Sequence, residues 1–312
     1  MAERHFAPRR LRPGAVFGVV APSTPVGPQQ DAQLRQGIAV VRELGFAVRL
    51  APGLTGASLG FAASGAEKGA DLNALFADPA IDAILCAQGG MTANACLPHL
   101  NWDLIRANPK IVIGISDITV LLNAITTRTG LITFHGDDLL WGLGRTTTAY
   151  NRGEFLAAYT EGRLGPIPAN RARASLRGGV AEGRLWGGNL TALLKLAGTP
   201  YWPDLRGALL FLEDIDLAPD RCDCALTQLE QMGVFEQIAG AVIGYVDGQD
   251  GVLPPEHTLG GSLLRLTVGQ SYPILKTEDF GHNCPNTVLP VGARARLDAD
   301  GLELSLLEPY VF

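Results

Sequence analysis

Apolar residues in the first half of the chain fall in short unbroken runs. Each run ends on a polar or glycine-rich break and is followed by a segment of helical period. Residues 16–21 form such a run and stop at Pro22-Ser23-Thr24-Pro25. Leu34, Ile38 and Val41 mark a helix ended by Gly45, and residues 46–50 return as a strand. Ser64 and Glu67 stand at the spacing of a capping box, ahead of a helix that buries Leu72, Leu75 and Phe76. Two further runs follow: Ile84-Leu85-Cys86-Ala87, broken by Gln88-Gly89-Gly90, and Ile111-Val112-Ile113-Gly114-Ile115, broken by Ser116-Asp117. Ile118, Leu121, Leu122 and Ile125 then trace one face of an amphipathic helix closed by Gly130.

Strands that are apolar throughout and alternate with helices predict a parallel, doubly wound sheet covered on both faces. Ligands of such sheets sit beyond the carboxyl ends of the strands. The loops 22–25, 88–92 and 116–117 are therefore expected to converge.

Between residues 143 and 179 the periodicity fades and Gly, Pro, Arg and Thr accumulate, which reads as a connection between domains with one helix near 154–159. The second half begins with the glycine-rich run Gly183-Arg184-Leu185-Trp186-Gly187-Gly188-Asn189. A strand over 208–212 then ends on Glu213-Asp214, a helix carries Leu226, Leu229 and Met232, and a strand spans 241–245. Ala293, Ala295 and Leu297 alternate with Arg294 and Arg296, and Asp300-Gly301 supplies the turn of a closing hairpin. The expected organisation is an N-terminal α/β domain over residues 1–142, a connection over 143–179, and a C-terminal α+β domain of mixed strands over 180–312.

Length and composition narrow the class. A chain of 312 residues, 47% hydrophobic and 18% charged, is globular and long enough for two domains. The net charge of −6 argues against a nucleic-acid partner. The four arginines of residues 1–12 make only a short segment, read as a solvated tail. No signal peptide and no apolar run of about 18 residues is seen, so no membrane span and a cytoplasmic location are expected. Five cysteines make no disulfide framework, and Cys222-Asp223-Cys224 lacks a second ligand pair at metal spacing, so no metal is expected.

Ser116 is the residue of chemical interest. At a strand-to-helix junction a serine is more often an N-cap than a nucleophile, and Ile118 stands where a nucleophile elbow would have its second glycine. Acyl transfer from a serine also needs a base and an acid to orient it. Of five histidines, His282, in a loop between Gly281 and Asn283, ranks slightly ahead of His135, which closes the strand 131–134. Glu213 ends an apolar strand and so reaches a sheet edge; the competing reading pairs it with Arg184 or Arg221. Gly89, Gly90 and the N–H of Asp117 offer backbone donors for an oxyanion.

These residues, with Pro109-Lys110, His135-Gly136, Phe211-Leu212-Glu213-Asp214 and Leu289-Pro290-Val291-Gly292, resemble the LD-carboxypeptidase family of serine peptidases (S66) over 19–297. The resemblance implies a catalytic Ser116, Glu213 and His282 split over two domains, an oxyanion hole near Gly89, Gly90 and Asp117, no cofactor, and a cytoplasmic homodimer. Gln88, where many murein-recycling members carry arginine, and Met91 with Asn94 bring it nearer the microcin C self-immunity branch. The implied substrate is a small peptide or a peptidyl-nucleotide, with Gln88, Trp186 and Asn189 as candidate contacts. For Trp186, stacking on a base and filling the domain interface weigh equally. The rivals are a binding module that uses the same cleft without chemistry, and an enzyme that uses Cys284.

Overall fold

The computed structural model describes residues 5–145 and 147–312. Its first sheet has six strands: β1 (Val16–Val20), β2 (Ala47–Leu50), β3 (Ala83–Cys86), β4 (Ile111–Gly114), β5 (Thr133–His135) and β12 (Leu289–Val291). Their order is β12-β5-β4-β3-β1-β2. The five N-terminal strands run parallel, whereas β12 arrives from the far end of the chain and pairs antiparallel with β5, Leu289 opposite His135. Residues of β3 and β4 are buried throughout, as unbroken apolar runs require. Helices α1 (Asp31–Glu43), α2 (Gly65–Ala77), α3 (Trp102–Ala107) and α4 (Thr119–Thr129) complete this half. Ser64 caps α2 with Glu67 as its reciprocal partner, and Gly130 closes α4 at a φ of 80°.

The second sheet has eight strands: β6 (Gly165–Pro166), β7 (Arg173–Arg177), β8 (Val180–Asn189), β9 (Leu209–Ile215), β10 (Gly240–Asp247), β11 (Ile274–Gly281), β13 (Arg294–Asp298) and β14 (Glu303–Leu306). The segment 143–179 thus supplies the two edge strands β6 and β7, as well as a helix at Ala149–Leu156. Strands β8 to β11 are parallel at the centre, and the hairpin of β13 and β14 extends one side with Ala295 opposite Leu306. The fold is mixed α/β with one mostly parallel sheet and one mixed sheet.

Two expectations are corrected. Helix α4 is buried on nearly all sides, not amphipathic, because β8 and the helix Leu190–Leu194 cover the face turned away from the first sheet. The segment 1–12 is not a free tail where it is described (residues 1–4 lie outside the described residues). Phe6 hydrogen-bonds both Gly130 and Ile132 through its backbone, and the buried Leu11 donates its N–H to the Tyr159 carbonyl at 2.7 Å. Among the described residues, no helix is long and apolar enough to cross a membrane.

Candidate active site

The loops after β1, β3 and β4 meet as the parallel sheet demands. Thr24 N–H donates to the Gly89 carbonyl at 3.2 Å, and Thr92 N–H donates to Ser23 Oγ at 3.2 Å. Asp117 draws them together: its buried carboxylate accepts from Ser23 Oγ at 2.5 Å, from Ala93 N–H at 2.8 Å and from Lys195 Nζ at 2.5 Å. Closeness here demands glycine. A Cβ on Gly89 would lie 2.6 Å from Ser116 Cβ and 3.2 Å from Asp117 N, and one on Gly90 would lie 2.0 Å from Thr24 Oγ1.

Ser116 is not a cap. It has a φ of +64°, a left-handed conformation that costs a non-glycine residue energy. It opens a single 3-10 turn whose capping position is Ile115, with no side-chain cap bond. Ile118, where an elbow glycine was missing, is accommodated from below: Gly114 leaves the space, and a Cβ there would lie 2.6 Å from the Ile118 side chain. A strained backbone that turns a hydroxyl towards a cavity is the conformation a nucleophile needs, and a capping serine has no use for it.

The second sheet docks on the residues just after this serine. Asn123 Nδ2 donates to the Gly187 carbonyl at 2.8 Å, Asn189 N–H donates to Thr119 Oγ1 at 2.9 Å, and a Cβ on Gly188 would meet Thr119 at 2.4 Å. Gly187-Gly188 therefore lets β8 press against the start of α4. Asn189 then caps the helix Leu190–Leu194 through Ala192 N–H, and its Nδ2 donates to Asp214 Oδ1 at 2.9 Å. That bond fixes the end of β9, where Glu213 is wholly buried.

His282 reaches the same place from β11. Gly281 lies at a φ of +134° because any Cβ would strike the Tyr245 carbonyl at 2.3 Å, so the strand end hugs β10 before the loop turns. Asn286 holds the loop: its Oδ1 accepts from Gly281 N–H at 2.8 Å and its Nδ2 donates to Asp137 Oδ1 at 2.8 Å, across 149 residues of chain. His282 Nδ1 lies 2.6 Å from Glu213 Oε2. A carboxylate only accepts, so Nδ1 carries the hydrogen and Nε2 is left to act as a base. Burial by itself would depress the imidazole, but the Glu213 charge and hydrogen bond outweigh it and raise His282 to about 9. Burial likewise opposes ionisation of Glu213, yet the facing His282 holds its carboxyl below the usual value. Arg184, a rival partner for Glu213, is instead engaged with Glu308 at 2.6 Å.

Ser116 and His282 line one cavity of about 850 Å³, which Gln88, Gly89 and Gly90 also line. Of the candidate substrate contacts, Gln88 is 4% exposed, with Oε1 accepting from Gln30 at 2.6 Å and from Trp141 Nε1 at 2.9 Å, and Nε2 donating to the Pro25 carbonyl. Asn189 and Trp186 do not line this cavity. Trp186 is packed in the core with its ring edge-on to His5, which corrects the stacking alternative: its pocket is the protein's own interior. His135 is fully buried and edge-on to Phe211 and Phe280, and burial lowers it to about 4. Cys284 lines the cavity, but burial keeps its thiol well above the usual value, protonated and a poor nucleophile.

Sequence reasoning missed much of the cavity wall, its charged residues above all. Asp137 and Asp138 are raised by burial to about 6 and about 7. Trp141, 43% exposed, carries Arg145 over its ring at 5.0 Å, and Arg171 is a second cation of the wall. Only the adjacency of Asp137-Asp138 to His135-Gly136 hinted at any of them.

Family models match both halves of the chain: the LD-carboxypeptidase N-terminal domain over residues 17–136 and the LD-carboxypeptidase C-terminal domain over residues 182–297. The probable murein peptide carboxypeptidase of Bacillus subtilis (strain 168) is 35% identical over 306 residues, covering 94% of this chain and 92% of that protein. The microcin C7 self-immunity protein MccF of Escherichia coli is 28% identical over 333 residues, covering 96% and 95%. A solved structure of MccF in complex with aspartyl sulfamoyl adenosine matches with a TM-score of 0.89 at 26% identity, covering 98% of this chain and 100% of that one.

Proposed function

The chain belongs to the LD-carboxypeptidase family of peptidases, and on that premise we propose that it is a serine carboxypeptidase that hydrolyses an amide next to a free carboxylate. Ser116 is the nucleophile, His282 the general base and Glu213 the acid that orients it. The observation that carries this reading is the left-handed Ser116, facing a cavity shared with a histidine whose other nitrogen is held by a buried carboxylate.

In the reaction, Ser116 Oγ bonds to the substrate carbonyl carbon while its proton passes to His282 Nε2. The backbone N–H groups near Gly89, Gly90 and Asp117 receive the oxyanion. His282 returns the proton to the leaving nitrogen as the C–N bond breaks. Water, deprotonated by His282, then cleaves the acyl-enzyme and restores the serine. Arg145 and Arg171 are the cations of the cavity wall suited to a substrate carboxylate.

Two substrate classes fit: a murein L,D-peptide, as in the name of the Bacillus relative, and an aminoacyl-nucleotide, as in the ligand of the MccF complex. Mass-spectrometric turnover of a murein tetrapeptide and of aspartyl sulfamoyl adenosine compares them directly. The Ser116→Ala protein is expected to fold normally, to lose turnover of both and to escape labelling by a fluorophosphonate. Retained turnover would remove Ser116 from the mechanism. A cytoplasmic homodimer belongs to the same proposal, and sedimentation of the purified protein tests the assembly.

A further inference from the structure

Glu213 Oε1 and the two ring nitrogens of His135, all buried, make no hydrogen bond of ordinary geometry among the described residues, although the Asn189 side chain lies close enough to the Glu213 carboxylate to help lower it. His135 ends β5 next to β4, on the sheet that carries Ser116. Its ring meets Phe211 at 5.4 Å and Phe280 at 6.0 Å, both edge-on. Phe211 lies two residues before Glu213 on β9, and Phe280 two residues before His282. Side chains two apart on a strand share a face, so the imidazole is wedged under the face of β9 that presents Glu213, while His282 lies just beyond the end of β11. The imidazole and the Glu213 carboxylate each bias the other's protonation, as neighbours do.

The bland alternative is a core histidine that only fills space. Two unpaired ring nitrogens among aromatic rings cost free energy that a phenylalanine or leucine at this position would not incur. A neutral imidazole has one N–H to donate and one lone pair. Glu213 Oε1 is a charged acceptor buried beside it.

We propose that His135 is a positioning residue for Glu213: through one internal water, its ring N–H supplies a hydrogen bond to Glu213 Oε1 and so pins the carboxylate whose Oε2 holds His282. The water accepts from His135 and donates to Oε1, which meets the lower end of the two to four partners typical of buried waters. Without that link the carboxylate keeps its bond to His282 Nδ1 and the nearby Asn189 amide, but Oε1 has no well-aligned donor and the group is freer to turn. The imidazole then loses the orientation its task requires. This inference rests on the reading of Glu213 as the acid that orients the base.

The test compares His135→Leu, which removes the polar atoms, with His135→Asn, whose amide can still donate. His135→Phe replaces the leucine variant should that one not fold. The first readout is the downfield proton resonance of His282 Nδ1–H, recorded also in the Ser116→Ala background, where no turnover is needed. The resonance is expected to persist in the wild type and in His135→Asn, and to vanish by exchange in His135→Leu. The second readout is kinetic. His135→Leu should lose about tenfold or more in kcat with KM within twofold, the size expected when a hydrogen bond to a charged group is lost, while His135→Asn stays within threefold of the wild type. An intact resonance with full kcat in His135→Leu would overturn the proposal. So would an equal loss in both variants, which marks a packing role. If Ser116→Ala kept its turnover the serine mechanism would fail, and the resonance comparison would still decide the role of His135.

Discussion

Replacing Glu213 by glutamine removes one negative charge from a wholly buried position while preserving shape and an acceptor oxygen for His282 Nδ1. Burial by itself pulls the His282 imidazole down. The Glu213 charge and hydrogen bond, aided by Asp214 and Asp138, more than reverse this and bring it to about 9 from an ordinary 6.5. That difference corresponds to a coupling on the order of 3 kcal/mol. Its sign fixes the pH window. A histidine raised on folding stabilises the fold fully below its unfolded value of 6.5 and loses that contribution as pH climbs through about 9. Glu213 is lowered on folding, so its share is present above its ordinary 4.5 and fades in acid. Calorimetry at pH 6 should therefore find Glu213→Gln about 5 °C less stable than the wild type, since a chain of this length gains roughly 0.65 kcal/mol per degree in unfolding entropy. At pH 10 the gap should close to a degree or so. In parallel, the acid limb of kcat/KM, which reports His282 in the free enzyme, should move down from near 9 to 6.5 or below, with a large fall in the plateau. An equal Tm gap at both pH values, or an unmoved limb, would refute the coupling and with it the role of Glu213.

Two further substitutions separate strain from capping and space from chemistry. Ser116→Gly relieves a left-handed φ and should abolish turnover while leaving Tm equal to or above the wild type, by up to about 1 kcal/mol of stability. A loss of about 1 kcal/mol would instead mark a cap. Gly89→Ala places a methyl group 2.6 Å from Ser116 Cβ and 2.8 Å from its Oγ, so kcat should fall a hundredfold or more, and Tm should fall with it because the clash is not with the end of a movable side chain. Activity within threefold of the wild type would show that the loop has room the geometry denies.

The first half of the fold was legible because its physics is local. A strand buried on both faces has to be apolar at every position, a pattern that β1, β3 and β4 display without ambiguity. Where such strands run parallel, the loops at their carboxyl ends converge, so the meeting of residues 22–25, 88–92 and 116–117 follows before any contact is known. Glu213 was legible as a strand end but not as a partner. Choosing between Arg184 and His282 required knowing that Arg184 is consumed by Glu308, a pairing 124 residues away.

What stayed hidden was polar and long-range. Gln88 and Asn189 look available in sequence because they sit beside glycines, the usual company of ligand-binding loops. In the fold their amides hold the protein to itself: Gln88 ties three loops of the cavity wall, and Asn189 secures the end of β9 that carries Glu213. Asp137 and Asn286 bind each other across the interface, and neither has a periodic pattern to betray it. Trp186 shows the same limit from the apolar side, since an aromatic before Gly-Gly can face a ligand or the core with equal local propriety. Close packing of β8 over the start of α4 decides for the core. The glycines that seemed to open space for a ligand are there to bring a second sheet against the helix that follows Ser116. A site split over two sheets depends on that approach, because a few tenths of an ångström between Thr119 and Gly188 alter where Asn189, and then Glu213, can stand.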